Sequence, residues 1–276
     1  MNLIVFFLCL SFSVFAVDFT LFTEPKTGTH LLIPILEELT GKKVYWAPEF
    51  SNTPYKECAY SPMDLESSDS FLFSTDHVPW DRLTMERVWN ETKRKRAFLH
   101  LHAPYSLTME NYLTEKKYIN FFVKRDPRDQ VVSLMNHYKY VDKNNKSLND
   151  LPSDEEKLLF LIQTRLKNTV LSFKGWMQSP LCCVLDFHKL MGSHGGDATD
   201  REALEELKKI AKALSIQLTD VHLLILYKKH FGKGWNFFRG KVGAWRDYFN
   251  EEHKTATKKE IGHLLIELGY EADDQW

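Results

Sequence analysis

The chain has 276 residues, of which 43% are hydrophobic and 26% are charged, and its formal net charge at pH 7 is −1. This composition is typical of a globular protein and excludes a disordered or fibrous chain. Because no global field draws it to nucleic acid or acidic lipid, any anion it binds must be held by a local cluster of basic groups. The sequence has no internal repeat or Pro/Gly-rich linker, which favours a single domain.

The first sixteen residues, MNLIVFFLCLSFSVFA, are apolar and end in small residues, so residues 1–16 are predicted to be a signal peptide. Val14-Phe15-Ala16 is the expected cleavage site, which leaves a mature domain over residues 17–276 in a secretory or periplasmic compartment. The alternative is a membrane tether by an uncleaved N-terminus. A full span needs about 20 apolar residues, and here it would have to include Asp18.

Five apolar segments are predicted to be strands, and several are continuous runs, as is typical of parallel strands covered on both faces. They are Asp18–Thr23, Lys43–Trp46, Ala97–His102, Tyr118–Lys124 and Cys182–Phe187. Helical patterns occur at Leu31–Leu39, Val131–Tyr140, about 153–173, Thr199–Leu214, Asp220–His230 and Thr257–Leu268. This alternation predicts an α/β fold with a central parallel sheet flanked by helices, whose ligands bind at the carboxyl ends of the strands.

The first predicted strand ends in a turn that has the composition of a phosphate-binding loop. Its centre is Pro25-Lys26-Thr27-Gly28-Thr29-His30, directly before a predicted helix. Backbone amides at a helix N-terminus favour an anion, and Lys26 adds a positive charge. The turn lacks the Gly-Lys-Ser/Thr ending of a nucleoside-triphosphatase loop. The structural alternative is a capped turn with a solvent-facing lysine.

A second strand end carries a second candidate phosphate site. In FFVKRDPRDQVVSLMNHY, Arg125 follows an apolar strand and Ser133 lies two helical turns into the next element. At that separation both side chains can face one phosphate, with a two-pronged grip from the guanidinium and a hydroxyl from the serine. An arginine at a strand end is more often a surface or ion-pairing residue.

Three motifs in order along the chain resemble those of the sulfotransferases that use 3'-phosphoadenosine-5'-phosphosulfate (PAPS). PKTGTHLL is similar to the PKSGTTWL signature, and VKRDPRDQVVSLMNHY resembles the Arg-x-Pro/Ala-x-Asp signature with its following serine. FFRGKVGAWRDYF looks like the third signature, Arg-Lys-Gly-x-x-Gly-Asp-Trp-Lys. The resemblance extends from Asp18 to Phe249 and implies the sulfotransferase fold, which is related to that of P-loop nucleoside triphosphatases.

The resemblance also implies how the donor is held. Lys26 would bind the 5'-phosphosulfate and neutralise the bridging oxygen as the S–O bond breaks. The amides of Thr27, Gly28 and Thr29 would cradle the 5'-phosphate. Arg125 and Ser133 would bind the 3'-phosphate.

For the acceptor side, FLHLHAPYS resembles the segment that carries the family's catalytic histidine, which makes His102 the expected general base. A histidine suits this role because its ordinary pKa is close to neutral pH. His100 falls on the same strand face, where the family often has lysine, and is expected either to help hold the sulfuryl group or to pack in the core. By the same resemblance, Phe187 takes the place of an aromatic residue that contacts adenine, and Phe231 is a second candidate.

Two departures from the family pattern affect the donor site. His30 and Leu31 replace a threonine and the tryptophan that stacks on adenine, and His30 is expected to donate to the 5'-phosphate instead. In the last signature, Arg239 takes the lysine position. Arg239 and the amides of Gly240 and Lys241 are expected to grip the 3'-phosphate, while Ala244 replaces an aspartate.

The expected activity is therefore in-line transfer of a sulfuryl group from PAPS to a hydroxyl or amine acceptor, with no metal. The alternatives are a nucleotide-type kinase on the same architecture and a non-catalytic nucleotide-binding relative. The acceptor would be a small molecule, lipid or glycan, with no nucleic-acid partner. Two loop-rich segments, Phe50–Trp80 and Asn144–Asp154, are expected to shape its pocket.

Overall fold

The computed structural model describes residues 17–46, 71–73, 78–80, 82–140, 146–231 and 240–276. The expected signal peptide at 1–16, most of the 50–80 segment and Arg239 lie outside these residues, so what was expected of them stays a prediction. Among the helices of the described residues, none combines the length and the apolar character that crossing a lipid bilayer requires.

Five parallel strands form one sheet in the order β2-β5-β1-β6-β7, which confirms the predicted α/β architecture. The strands of this sheet are β1 (Phe19–Thr23), β2 (Lys43–Trp46), β5 (Ala97–Leu101), β6 (Ile119–Lys124) and β7 (Cys182–Asp186). A separate antiparallel pair consists of β3 (Phe71–Phe73) and β4 (Val78–Trp80). All five strands predicted from apolar runs are present in the main sheet.

The helices lie between and after the strands, and they exceed the predicted set. They are α1 (Thr29–Thr40), α2 (Arg82–Arg94), α3 (Leu107–Glu115), α4 (Pro127–Tyr140), α5 (Lys146–Asn149), α6 (Asp154–Leu161), α7 (Lys167–Gln178), α8 (Phe187–Met191), α9 (Asp200–Ala213), α10 (Asp220–His230), α11 (Trp245–Tyr248) and α12 (Glu251–Glu267). A π-helical stretch, Ile162–Leu166, joins α6 to α7, so the helix expected at about 153–173 continues to Gln178. Neither α2 nor α3 was predicted.

Local capping moves several element boundaries away from the sequence prediction; helix α12, for example, begins at Glu251 after the Asn250 cap rather than at Thr257. Helix α4 begins at Pro127 rather than Val131: Asp126 caps it by accepting a bond from the Arg128 amide at 2.9 Å, and proline suits the first helical position. Strand β7 ends at Asp186, whose side chain accepts from the amide of His188, so Phe187 is the first residue of α8 and not the last of the strand.

Both faces of the sheet are covered, as the continuous apolar strands predict. Phe19 and Leu21 of β1 belong to the core cluster that includes Leu32 and Leu36 of α1. Phe22 points to the opposite face and stacks on Trp176 of α7, with ring centroids 4.3 Å apart. Because side chains alternate along a strand, Thr23 lies on the α1 side of the sheet.

Candidate active site

The turn between β1 and α1 is a closed loop held against its neighbours. The amide and the hydroxyl of Thr27 both donate to the carbonyl oxygen of Glu24, at 3.3 and 2.9 Å. Gly28 has φ +104° and precedes the first residue of α1, and a Cβ there would lie 2.6 Å from Cδ2 of Phe187. Only glycine fits this close approach and left-handed backbone. The first amides of α1 follow this turn, as a phosphate loop requires.

Lys26 is the central cation of this loop. Its backbone is left-handed, with φ +72°, and its Nζ lies 3.3 Å from Nδ1 of His137 on α4. Its carbonyl oxygen accepts a bond from Nη1 of Arg125 at 2.8 Å. Burial, and secondarily the nearby Arg125 charge, lower the pKa of the Lys26 ammonium. The two cations that the sequence assigned to separate phosphate contacts are therefore close neighbours.

One face of α4 is directed at the phosphate loop. Gln130 donates from Nε2 to the carbonyl oxygen of Pro25 at 2.8 Å, and His137 contacts Lys26. Ser133 is three residues after Gln130 and four before His137, so it lies on this same face. Helical spacing therefore puts Ser133 on the face of α4 that is turned to the loop, and its contact with the 3'-phosphate stays a prediction.

Arg125 is fixed by two contacts at the base of the loop. Besides its bond to the Lys26 carbonyl, its guanidinium lies over the ring of Phe187, 4.4 Å from the centroid. Phe187 is itself buried against Gly28. The adenine contact expected of Phe187 stays a prediction, while its observed contacts hold Arg125 and the loop together. Phe231, the second aromatic candidate, is buried beside Tyr227 in the core.

His102 lies at the neighbouring strand end, level with the phosphate loop. The parallel register pairs Phe22 with Leu101, which brings Thr23 beside His102. Nδ1 of His102 is 2.7 Å from the carbonyl oxygen of Thr23. A carbonyl can only accept, so Nδ1 carries the proton and Nε2 keeps its lone pair. That is the form a general base must have.

The surroundings of His102 strongly favour its neutral form. Burial lowers its pKa to about 4, and the proximity of His30 and of the Lys26 ammonium acts in the same direction. The bond to the Thr23 carbonyl raises the pKa and offsets only part of this effect. Burial and then Lys26 lower the pKa of His30, which lies in the first turn of α1. The positive charge of Lys26 therefore opposes protonation of both histidines.

The hydroxyl of Thr23 joins this site in a way that the sequence motifs did not indicate. Thr23 Oγ1 lies 2.7 Å from Oγ1 of Thr29, 2.9 Å from Nε2 of His100 and 3.1 Å from Nδ1 of His102. His100 is buried, and its ring meets that of His102 edge-on at 4.7 Å. Its place on the same face as His102 is as expected, and contact with the sulfuryl group stays a prediction.

Glu24 is a second residue that sequence reasoning missed. Its side chain is buried directly before Pro25, and burial raises its pKa to about 8, although a hydrogen bond from Gln130 acts in the opposite direction. Among the described residues, its Oε1 has no hydrogen-bond partner. The only signal in the sequence was a carboxylate immediately after a core strand.

The segment after His102 is anchored to α7. The indole Nε1 of Trp176 donates to the carbonyl oxygen of Ala103 at 3.0 Å, and the amide of Tyr105 donates to the carbonyl oxygen of Ser172 at 2.7 Å. The Tyr105 hydroxyl donates to Oε2 of Glu110 at 2.9 Å. These bonds fix the path of the segment that follows His102.

The third motif is connected to the site through Asp129 of α4. The carboxylate of Asp129 accepts bonds from the amides of Gly243 and Trp245, at 2.7 and 3.0 Å. Gly240 and Lys241 precede this anchor, and Nζ of Lys241 pairs with Asp247 at 2.6 Å. Their contact with the 3'-phosphate stays a prediction, as does that of Arg239.

Comparison with known proteins identifies the family of this chain. A family model described as a sulfotransferase domain matches residues 17–186, which is more than half of the chain. No curated protein sequence matches the chain.

Three solved structures share its fold at low sequence identity. A mouse sulfotransferase, SULT7A1, complexed with PAP is 16% identical, with a TM-score of 0.57 over 92% of this chain and 85% of that one. Retinol dehydratase with androsterone and the inactive cofactor PAP is 17% identical, with a TM-score of 0.57 over 91% of this chain and 81% of that one. Retinol dehydratase with retinol and PAP is 16% identical, with a TM-score of 0.54 over 90% of this chain and 81% of that one.

The glycine turn before α1, the histidine at the adjacent strand end and the extent of the family match lead to one conclusion. The chain belongs to the sulfotransferase domain family and is a sulfotransferase.

Proposed function

We propose that this protein transfers a sulfuryl group from PAPS to a hydroxyl or amine acceptor, with His102 as the general base. The observation that carries the proposal is the bond between Nδ1 of His102 and the Thr23 carbonyl, which leaves Nε2 as a proton acceptor beside the phosphate loop. The similar structures described above contain PAP, the bisphosphate that remains when PAPS has lost its sulfuryl group. This supports PAPS as the donor here.

The donor would be bound by the groups that converge on the loop. The amides at Gly28 and Thr29 and the ammonium of Lys26 would hold the 5'-phosphosulfate, because a helix N-terminus and a cation both favour an anion. Arg125 and Ser133 would hold the 3'-phosphate. The two phosphate groups would thus be recognised by different strand ends of one sheet.

The reaction would be a single displacement at sulfur. Nε2 of His102 takes the proton from the acceptor hydroxyl, and the acceptor oxygen forms a bond to sulfur. The bond between sulfur and the bridging phosphate oxygen breaks, and its electron pair leaves with PAP. Lys26 stabilises the negative charge on that oxygen, and His102 later releases its proton to solvent. Positioning and electrostatic stabilisation supply most of the rate in such a step.

The basic groups gathered around the loop also support an anionic ligand. Burial and then the charge of Arg125 lower the pKa of Lys26, and burial together with neighbouring basic groups lowers the pKa values of His30, His100 and His102. A bound phosphosulfate would pair with the positive charges of Lys26 and Arg125. The free energy released would contribute to donor affinity, and binding would raise these pKa values.

Transfer from PAPS to a panel of apolar alcohols, glycans, phenols and amines tests the proposal, with sulfated product detected by mass spectrometry. Androsterone and retinol belong in the panel because related folds were crystallised with them. We expect a sulfated product, together with stabilisation of the protein by PAP and not by ATP. Phosphate transfer from ATP would favour the kinase alternative, and PAP binding without transfer to any acceptor would favour a non-catalytic role.

We also propose that residues 1–16 direct the chain into the secretory pathway or the periplasm. The support is the apolar run that ends in Val14-Phe15-Ala16. Expression of the full chain followed by N-terminal sequencing of the exported product would test this. A mature protein that begins near Val17 is expected, and a retained N-terminus on membranes would indicate a tether instead.

A further inference from the structure

The hydroxyl of Thr23 has three hydrogen-bonding neighbours, and they restrict which bonds it can donate and which it can accept. A threonine hydroxyl offers one hydrogen and two lone pairs. Three groups lie within hydrogen-bond distance of it: Thr29 Oγ1, His100 Nε2 and His102 Nδ1. All three bonds form together only if Thr23 donates one and accepts two.

One of these three bonds has a fixed direction. Nδ1 of His102 must carry a hydrogen because it also faces the Thr23 carbonyl. Toward the Thr23 hydroxyl it can therefore only donate. Thr23 is left with one hydrogen to give and one lone pair to fill, which it must divide between Thr29 and His100.

Only two arrangements meet this condition. In the first, Thr29 donates to Thr23, and Thr23 donates to an unprotonated Nε2 of His100. In the second, the hydrogen on Nε2 of His100 is donated to Thr23, and Thr23 donates to Thr29. The second arrangement leaves the hydrogen of Thr29 available at the N-terminus of α1, where the proposed donor phosphate binds.

We propose that His100, Thr23 and Thr29 form a directional hydrogen-bond relay that donor binding sets in one direction, from Nε2–H of His100 through both hydroxyls to the 5'-phosphate. This inference rests on the proposed donor site. An anion accepts hydrogen bonds and cannot donate, so it selects the second arrangement. Thr23 and His100 then act as positioning residues: the same hydroxyl that supports Thr29 also receives Nδ1–H of His102.

In the relay, His100 donates a hydrogen bond from Nε2, which a buried and neutral imidazole can do. A neutral imidazole can present its hydrogen on either nitrogen, and its neighbours decide which. Burial, with the charges of His102 and His30, lowers the pKa of His100 well below its ordinary value, so it is neutral at pH 7. Donor binding is therefore expected to select a tautomer of His100 without changing its charge.

The direct test is the tautomer of His100 in the protein saturated with PAP. Long-range ¹H–¹⁵N correlation spectra distinguish Nε2–H from Nδ1–H imidazoles, and the His100 signals are assigned by their loss in His100→Gln. We expect the Nε2–H tautomer in the complex. A predominant Nδ1–H tautomer at saturating PAP would overturn the relay while leaving the donor site intact. A chain that binds no PAP would remove the donor site and the relay together.

Matched variants test the relay by PAP affinity, measured by calorimetry. Thr23→Val removes the hydroxyl and keeps the shape, and His100→Leu removes the initial donor. Each is expected to weaken PAP binding about fivefold, the usual effect of one buried neutral hydrogen bond. Thr23→Ser and His100→Gln restore a donor and are expected to bind within about twofold of the unchanged protein.

Thr20→Val is the control, because Thr20 is a buried threonine of the same strand whose hydroxyl donates to Asn120 on the opposite face, at 2.7 Å. It is expected to leave PAP affinity unchanged. Thr23→Val and His100→Leu affinities equal to that of the unchanged protein would overturn the relay. If Thr23→Val does not fold, the tautomer measurement on the unchanged chain still decides the question.

Discussion

The ring of Tyr105 lies directly against the backbone of Gly175 in α7. A Cβ at position 175 would be 2.1 Å from Cδ1 of Tyr105 and 2.2 Å from its Cγ, closer than any real contact. The same tyrosine is bonded through its amide to Ser172 and through its hydroxyl to Glu110. Gly175 therefore allows the segment that follows His102 to lie flat on α7.

We expect Gly175→Ala to displace Tyr105, to destabilise the protein by about 1–3 kcal/mol and to reduce sulfuryl transfer. The reason is that an added Cβ would overlap the Tyr105 ring, which cannot move away easily because its backbone amide and its hydroxyl are both hydrogen-bonded. Urea unfolding gives the free energy of unfolding, and steady-state kinetics give the transfer rate.

Gly262→Ala is the matched control for this substitution. Gly262 lies inside α12, and the nearest atom to an added Cβ is Cβ of Lys258 at 3.8 Å. Alanine there is expected to stabilise by about 0.5–1 kcal/mol, the usual helix preference over glycine. In a Tyr105→Ala background the penalty of Gly175→Ala should vanish, and a persistent penalty would contradict the steric explanation.

His102→Asn separates the two roles of the histidine. The asparagine amide can still donate to the Thr23 carbonyl, since it lies where Nδ1 does, but it has no base at the position of Nε2. We expect transfer to fall about 10²- to 10⁴-fold, the usual contribution of a general base, with PAP affinity little changed. His102→Ala should lose the same activity. Turnover close to that of the unchanged protein in either variant would contradict the role of His102 as general base.

The pKa of His102 should depend on the donor. In the free protein it is about 4, so the base is neutral above pH 5 and kcat/KM should show no loss near pH 6.5 from this group. Bound PAP adds negative charge, which stabilises the imidazolium and raises the pKa. NMR titration of His102 with and without PAP measures both values. A midpoint near 6.5 in the free protein would contradict the environment described here.

Glu24→Gln is expected to change how stability depends on pH. The pKa of Glu24 is about 8 in the folded protein and 4.5 as an ordinary value, so the folded state binds more protons between these limits. The contribution of Glu24 to the free energy of unfolding is fully present below pH 4.5 and is lost as the pH rises through 8. The glutamine stays neutral, so its stability advantage over the unchanged protein should grow by about 1.4 kcal/mol per pH unit across this window.

Urea unfolding of both proteins from pH 5 to 9 measures this difference, and the titrations of the histidines cancel in the comparison. Glu252→Gln, at an exposed position of α12, controls for the substitution itself. A difference in unfolding free energy that does not change with pH would show that Glu24 does not titrate as its burial implies.

Much of the fold could be read from local patterns. The five strands of the main sheet are short apolar runs bounded by polar residues, and α1 ends at Gly41 with the left-handed cap that its sequence indicates. Phe187 was misplaced because apolarity does not distinguish the last residue of a strand from the first of a helix, whereas the Asp186 cap does. Helix α2 was missed although Met85, Val88 and Trp89 have helical spacing, since a highly charged segment gives a weak apolar signal.

The sequence by itself determined the kinds of groups in the site: a glycine turn before a helix, a lysine and an arginine after two strands, and a histidine after a third. Which atoms meet was decided by the parallel register and by α4, which bring together residues that are far apart in the chain. The register places Thr23 beside His102 and thereby selects which nitrogen of His102 carries its proton. Tautomers and buried charges depend on neighbours within a few ångströms, and those neighbours exist only once the sheet has formed.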